Sequence, residues 1–433
     1  MSYRNRLSTI VYFRSNMKRI RPLVLLALLA LSPLAAGAQK TGGDAFASLY
    51  QAFSNVLGPD DFEALTTFRS LLVPMGGLAE GLGTAYTAVA KDSSYFESNP
   101  AASSALQYTE LAVFHNNWIA DAKIEGAVYT IRYKGLGFGV AGKWLYLPFM
   151  AYDDFGDPSG SGYYSEAMTG FNLSYNLFPG YYFNGIQVGA TGKLAYRSMP
   201  RIDDGSTAGN SALAAMVDAG LLTRFNFLKL YSARAKNCSV GLAVKNIGPP
   251  VLGDPLPTVA TLGAAYSPIR PLVISLDLSK PIDLVDLSRS EGLYGALGAF
   301  MQVTDFFQFE GGLLVKGGNP RISVGSSFAA ESLRLNVNYT LDLTTQLTPL
   351  NRISIQAAFS LGDLGRAELA KKVDALYLSG LDADARGDIA AAMAYWSEAL
   401  RLDPTFDPAR ESLKTAQGTV ELQATMESLQ KLK

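Results

Sequence analysis

Residues Leu333 to Thr344 alternate without a break. Leu333, Leu335, Val337, Tyr339, Leu341 and Leu343 take one parity, and Arg334, Asn336, Asn338, Thr340 and Asp342 take the other. Successive side chains of a strand point to opposite faces, so this segment makes one apolar and one polar surface. Arg352 to Leu361 repeats the pattern, with Ile353, Ile355, Ala357, Phe359 and Leu361 opposite Ser354, Gln356, Ala358 and Ser360. Ala167 to Phe178 repeats it again, with Phe171, Leu173, Tyr175 and Leu177 opposite Asn172, Ser174 and Asn176. A soluble sandwich alternates too, so the number and connection of the segments must decide.

About fourteen such segments start near 108, 122, 136, 166, 183, 211, 237, 257, 271, 292, 305, 320, 332 and 351. Each is near or above the roughly 9–11 residues that a tilted strand needs to cross a bilayer. Their connections alternate in length. "AYDDFGDPSGSGYYSE", "MPRIDDGSTAGN", "IGPPVLGDPLP" and "PIDLVDLSRSEG" are long, whereas "YKGLG", "FPGYYF", "SPIRP", "VTDF" and "AAES" are short. "LKLYSARAKN" falls on the short side but is long. Short turns on one rim and long loops on the other describe an outer-membrane barrel, and closure leaves no strand edge in hydrocarbon. The expected fold class is an all-β transmembrane barrel of about 14 antiparallel strands over 107–362, with both chain ends in the periplasm and membrane lipid around it. Charged residues make up 17 % of the chain and apolar residues 48 %, which suits a lipid-facing barrel. A net charge of −1 gives no footprint for nucleic acid.

At the start, Met17, Lys18, Arg19 and Arg21 precede the apolar run Leu23 to Leu31 and the small-residue site Ala36-Gly37-Ala38. This is the pattern of a secretory signal peptide over 1–38, with translation expected to begin at Met17. The run is too short for a membrane-spanning helix. The lone Cys238 permits no intrachain disulfide. With His115 as the single histidine, neither a Cys/His zinc cluster nor a Ser-His-Asp triad can be assembled, and no acidic cluster has metal spacing. No catalytic residue, metal or cofactor is expected, and the chain does not read as an enzyme.

Residues 39–106 are irregular. Asp44 to Val56 and Phe62 to Leu72 have the spacing of short helices, and Pro74, Gly76, Gly77, Gly81 and Gly83 break regular structure. The segment 363–433 is helical instead. Leu376, Gly380, Gly387, Ala392, Trp396, Ala399 and Pro404 follow the spacing of a tetratricopeptide repeat, two antiparallel helices in about 34 residues. Ala383 departs from the pattern, which usually has an aromatic there. A third helix is expected from about Asp407 to Lys431. One repeat cannot bury its own face, so this module must lean on the third helix, the barrel rim or a partner.

The stretch Leu72 to Gly126, "LVPMGGLAEGLGTAYTAVAKDSSYFESNPAASSALQYTELAVFHNNWIADAKIEG", resembles a family of uncharacterised outer-membrane proteins of spirochaetes, themselves similar to FadL long-chain fatty-acid transporters. Some of these carry a C-terminal tetratricopeptide module. The run Gly81-x-Gly83-x-Ala85-Tyr86-Thr87-Ala88-Val89 and the later Asn99-Pro100-Ala101 also occur in the wider superfamily, which includes barrels of secretion systems. The resemblance implies that residues 39–106 fold into the lumen as a hatch. A barrel this wide leaves a lumen, and the small residues Gly81, Gly83, Ala85, Ala88, Ala90, Ala101 and Ala102 suit a compact segment inside it.

The implied function is uptake of long-chain fatty acids or other hydrophobic small molecules by binding, without catalysis. The hatch and its neighbours give Phe96, Asn99, Pro100, Phe114, His115 and Trp118 as candidate ligand contacts, with plug or core packing as the plainer role of each. The alternatives are a secretion or assembly component that docks a periplasmic protein through its helical module, and an open pore.

Overall fold

A computed structural model of the chain describes residues 65–431 except 119–120, 154, 199–210, 317–318 and 343–349. The signal peptide and the Asp44–Val56 helix lie outside the described residues. Where a second helix was expected to end, the chain makes a single 3-10 turn, Arg69–Leu72.

The strands are β1 Glu110–Asn117, β2 Lys123–Tyr133, β3 Leu136–Tyr152, β4 Pro158–Leu177, β5 Ile186–Ser198, β6 Ala212–Phe225 and β7 Cys238–Ile247. They continue as β8 Thr258–Ile269, β9 Leu272–Ile282, β10 Tyr294–Thr304, β11 Phe307–Lys316, β12 Asn319–Ala330, β13 Leu333–Asp342 and β14 Leu350–Ser360. Every strand pairs antiparallel with its sequence neighbours, and β1 closes the sheet on β14, from Glu110 opposite Ser360 to Asn117 opposite Ile353.

Parity sorts the two surfaces. On β13, Leu335, Val337 and Tyr339 point outward, 40–45 % exposed, whereas Asn336, Asn338 and Thr340 point inward, 1 % exposed. The same sense holds on β14 and β4. An apolar exterior around a polar interior is the surface of a barrel that faces hydrocarbon.

Both ends of the barrel, Glu110 and Ser360, lie at one rim, here called proximal. The turns at 134–135, 270–271, 305–306 and 331–332 share it. The distal rim carries the longer connections 248–257 and 283–293. One expected loop is not a loop. β2 stops at Lys123 opposite Tyr146, and β5 stops at Ser198 opposite Ser165, yet β3 and β4 continue to pair through Met150 opposite Ser161. The stretch read as "AYDDFGDPSGSGYYSE" is therefore mostly a two-stranded ribbon projecting beyond the distal rim. Its glycines and proline resemble loop composition, but Pro158 opens a strand, a position where the missing N–H is tolerated.

Residues 65–106 run through the lumen from the distal to the proximal rim. Thr67 N donates to Pro255 O at the first, and Arg132 reaches Leu106 O at the second. The segment holds one short helix, α1 Gly77–Gly81, and the 3-10 turns Ser93–Glu97 and Pro100–Ala105, capped by the side chains of Asp92 and Asn99. Its backbone lies directly on the wall. A Cβ added to Gly137 would overlap the backbone of Ser103 and Ser104, one on Gly189 that of Pro100, and one on Gly312 that of Leu82 and Gly83. Gly220, Gly241, Gly263 and Gly298 face the segment in the same way.

Three helices follow the barrel: α2 Arg366–Ala385, α3 Ile389–Leu402 and α4 Asp407–Lys431. Val373, Ala383, Ala392, Trp396, Ala399, Phe406 and Ala409 form their core. Gly380 lies against the Trp396 indole, and Trp396 Nε1 donates to Tyr377 O at 3.3 Å. Gly387 turns the chain at φ +80°, and Asp388 caps α3 by accepting Ala391 N at 3.0 Å. Leu376 and Leu400 pack at the margin of this core, and Pro404 follows α3.

The helices are fastened to the proximal rim. Tyr181 N donates to Asp407 Oδ2 at 3.1 Å, its ring meets Phe406 edge-on at 5.1 Å, and Tyr182 Oη donates to Glu411 at 3.0 Å. Arg234 pairs with Asp374 at 3.1 Å. Arg234 belongs to "LKLYSARAKN", so the long connection on the short-turn side reaches the helices, as the "FPGYYF" turn does through Tyr181 and Tyr182.

Gly312→Leu should force the luminal segment off β11 at a cost of about 1–3 kcal/mol, the usual range for overpacking. In urea unfolding from lipid vesicles the midpoint should fall, and trypsin should gain access to Lys91. Gly192→Leu, whose Cβ meets nothing within 4 Å, should leave both unchanged.

Candidate functional site

Above the luminal segment the barrel opens at the distal rim into a cavity of about 150 Å³. Its apolar side is made by Leu71, Leu72, Val73 and Pro74 of the luminal segment, with Trp118 at the end of β1 and Leu314 of β11. Its polar side holds Thr87, Thr261, Asp277 and Ser279, and its charged groups are Arg69, Glu97, Lys245, Lys316 and Arg321.

The charges are positioned by pairing across the lumen. Lys143 of β3, almost fully buried, meets Glu97 Oε1 at 2.6 Å and also donates to Val73 O. Glu97 Oε2 accepts the Met75 amide at 2.8 Å, and Lys245 Nζ donates to Glu97 O at 2.9 Å. At the mouth Glu291 takes Arg69 at 3.3 Å and also pairs with Lys316. Asp277 Oδ2 accepts the Tyr86 and Thr87 amides at 3.1 and 2.9 Å.

Beside the cavity the luminal segment is held to the wall by a polar network. Glu80 of α1 accepts Asn116 Nδ2 at 3.0 Å and Thr340 Oγ1 at 3.1 Å, with Arg352 at 3.7 Å. Asn336 Nδ2 and Ser327 Oγ donate to Glu310. Tyr86 donates to Asp92 at 2.7 Å. Among the described residues no His/Cys/Asp/Glu group could hold a metal ion.

Of the six candidate contacts, Trp118 alone lines this cavity. Phe96, Asn99, Pro100 and Phe114 are buried where the luminal segment meets the wall. Asn99 Nδ2 donates to Thr87 O and Leu221 O, both at 2.9 Å, while its Oδ1 accepts Ala101 N at 3.1 Å. His115 has the outward parity of β1 and does not face the lumen. Its Nδ1 lies 2.8 Å from Glu125 and its Nε2 3.1 Å from Asn117. Sequence reasoning missed Lys245, Thr261, Asp277 and Ser279. Their signal was parity: in "LVISLDLSK", Ser275, Asp277 and Ser279 alternate with Ile274, Leu276 and Leu278.

A closed fourteen-stranded sheet, apolar outside and polar inside, with its own N-terminal segment in the lumen, defines a membrane-type β-barrel with an occupied interior. The chain belongs to the uncharacterised protein family UPF0164, whose model matches residues 52–363. One UPF0164 protein of Treponema pallidum (strain Nichols) is 28 % identical over 370 residues, covering 82 % of this chain and 84 % of that one. Another from the same organism is 26 % identical over 391 residues, covering 82 % and 76 %. Among solved structures, the CymD monoaromatic hydrocarbon channel has the same fold, with a TM-score of 0.50 at 12 % identity over 67 % of this chain and 98 % of that one.

Lys143→Met should leave the half-buried Glu97 without its cation. Removing one partner of a buried pair costs about 3–5 kcal/mol. The urea midpoint of the refolded barrel should drop accordingly, and a drop no larger than that of an outward-facing substitution would show that Glu97 is held by other groups.

Proposed function

We propose that the protein lies in the bacterial outer membrane, with the proximal rim and α2–α4 on the periplasmic side. It passes hydrophobic small molecules from the distal cavity through the lumen. Long-chain fatty acids are the leading cargo, as the FadL resemblance implies. The observation that carries this reading is the distal cavity: an apolar wall beside a few fixed polar groups, the composition of a small-molecule site, in a barrel built to face lipid. The likeness to CymD, a hydrocarbon channel by name, supports it.

At about 150 Å³ the cavity falls below the roughly 300–1,000 Å³ of a drug-sized site. It holds one end of a long molecule, and passage of the rest needs the luminal segment to act as a hatch. Cargo can shift the hatch only by binding the displaced arrangement more tightly than the resting one.

A second reading assigns the helices a partner-docking role as a tetratricopeptide-like module. It is favoured by the rim connections at Tyr181 and Arg234, which fasten the module where it faces away from the cavity. Full-length protein that recovers a partner, where protein truncated at residue 362 does not, would favour it.

Ser103 and Ser174 have hydroxyls 2.6 Å apart, one on the luminal segment and one on β4. In a Cys238→Ser background, Ser103→Cys with Ser174→Cys should staple the segment to the wall on oxidation. Fluorescent fatty acid should then bind saturably but stop entering proteoliposomes, and reductant should restore entry. Equal entry in both states would show that the segment need not move, and no saturable binding in either would remove the transport reading.

A further inference from the structure

The floor of the distal cavity holds a carboxylate with one oxygen committed and one not. Asp277 is 2 % exposed, and its Oδ2 accepts the Tyr86 and Thr87 amides. Its Oδ1 accepts a hydrogen bond from none of the described residues. A buried acceptor without a donor is unfavourable, and a charged one more so. Oδ1 packs against Gly263, where a Cβ would stand 2.5 Å from it, and beside Thr87 and Ala88 of the luminal segment, so a donor reaches this oxygen from the cavity side only as the segment gives way. The neighbouring lining is rich in hydroxyls: Thr261 and Ser279 are bonded to each other at 2.9 Å, and Thr87 lies beside them.

The surrounding charge narrows what could supply the donor. Arg69, Lys245, Lys316 and Arg321 line the same cavity against Glu97 and Asp277, with Glu291 at the mouth pairing Arg69 and Lys316. An ammonium group would enter a site lined by four cationic side chains, and a carboxylate would meet Asp277 at the floor. We propose that the floor takes a neutral hydroxyl that donates to Asp277 Oδ1. The amphiphiles this protein binds best then carry an alcohol or glyceryl head on an apolar chain. This rests on the reading of the barrel as a path for hydrophobic small molecules.

The test uses the full-length protein in nanodiscs, titrated by calorimetry with 1-monooctanoylglycerol, methyl octanoate and octanoate. A hydrogen bond to a buried carboxylate should favour the glyceryl head over the methyl ester by roughly tenfold or more. Asp277→Asn keeps an oxygen for the two amides but turns the other position into a donor. It should remove that preference without changing the heat-modifiable mobility of the folded barrel. Equal binding of the three probes, tightest binding of octanoate, or a preference that survives in the variant each overturns the proposal while leaving the path intact. Binding of none of them overturns the path as well. Should the variant not fold, the ranking on the native protein decides alone.

Discussion

The contact between the backbone of the luminal segment and the glycines of the barrel wall sets the rest of the structure. A fourteen-stranded sheet encloses more space than inward side chains can fill. Here the space is filled by main chain, and main chain brings N–H and C=O groups that must be partnered once buried. The wall supplies those partners one at a time. Asn116 donates to Pro74 O, Asn338 to Gly77 O, Ser239 to Ala88 O and Asn172 to Pro100 O. Arg224 reaches Val89 O and Ala90 O, and Asp277 accepts two amides in return. The glycines let the segment approach, and the polar side chains between them stand in for the ladder that an irregular chain lacks.

This arrangement explains what could be read from sequence. Strand parity was legible because a one-residue slip would place Asn336, Asn338 and Thr340 in hydrocarbon and Leu335 and Val337 in the lumen. The strand starts follow from it, except at β4, where Pro158, Gly160 and Gly162 hide a ribbon that needs no apolar alternation because neither face is in lipid. The site was less legible. Residues 65–106 owe their path to partners two hundred positions away, such as Asn338 for Gly77, and no local period encodes that. Proximity to the family-like motif therefore selected Phe96, Asn99 and Pro100, which hold the segment together, over Asp277 and Lys245, which line the cavity. His115 was misplaced by sequence proximity too: it adjoins Phe114 in the chain and faces the other way.

The two rims differ in how they are built, and the difference bears on direction. At the proximal rim the segment is tied to the barrel end and to α2 together. Arg366 donates to Arg132 O at 2.6 Å and to Gln107 O at 2.5 Å, and Thr109 N donates to Gly362 O at 2.8 Å. At the distal rim the ties are charged side chains around Glu291, Glu97 and Lys143. Both rims also carry a backbone tie, Thr67 N to Pro255 O at the distal one and Thr109 N to Gly362 O at the proximal one, and what sets the distal rim apart is its buried ion pairs, which can exchange a partner for water without unravelling a strand.

The polarity of the lumen also sets how the segment is held. A plug held by apolar contacts would be as stable and harder to displace, because separating apolar surfaces in a wet lumen has no compensating hydration. A plug held by hydrogen bonds and ion pairs exchanges each lost contact for one with water, so its net stability is the small difference between two well-solvated states. The buried pairs Lys193–Asp218 at 2.5 Å and Lys143–Glu97 at 2.6 Å fit that account. They add little to stability over an apolar replacement, but they fix which arrangement of the segment satisfies every charge. Contacts of this kind hold the segment in one arrangement by specificity more than by strength.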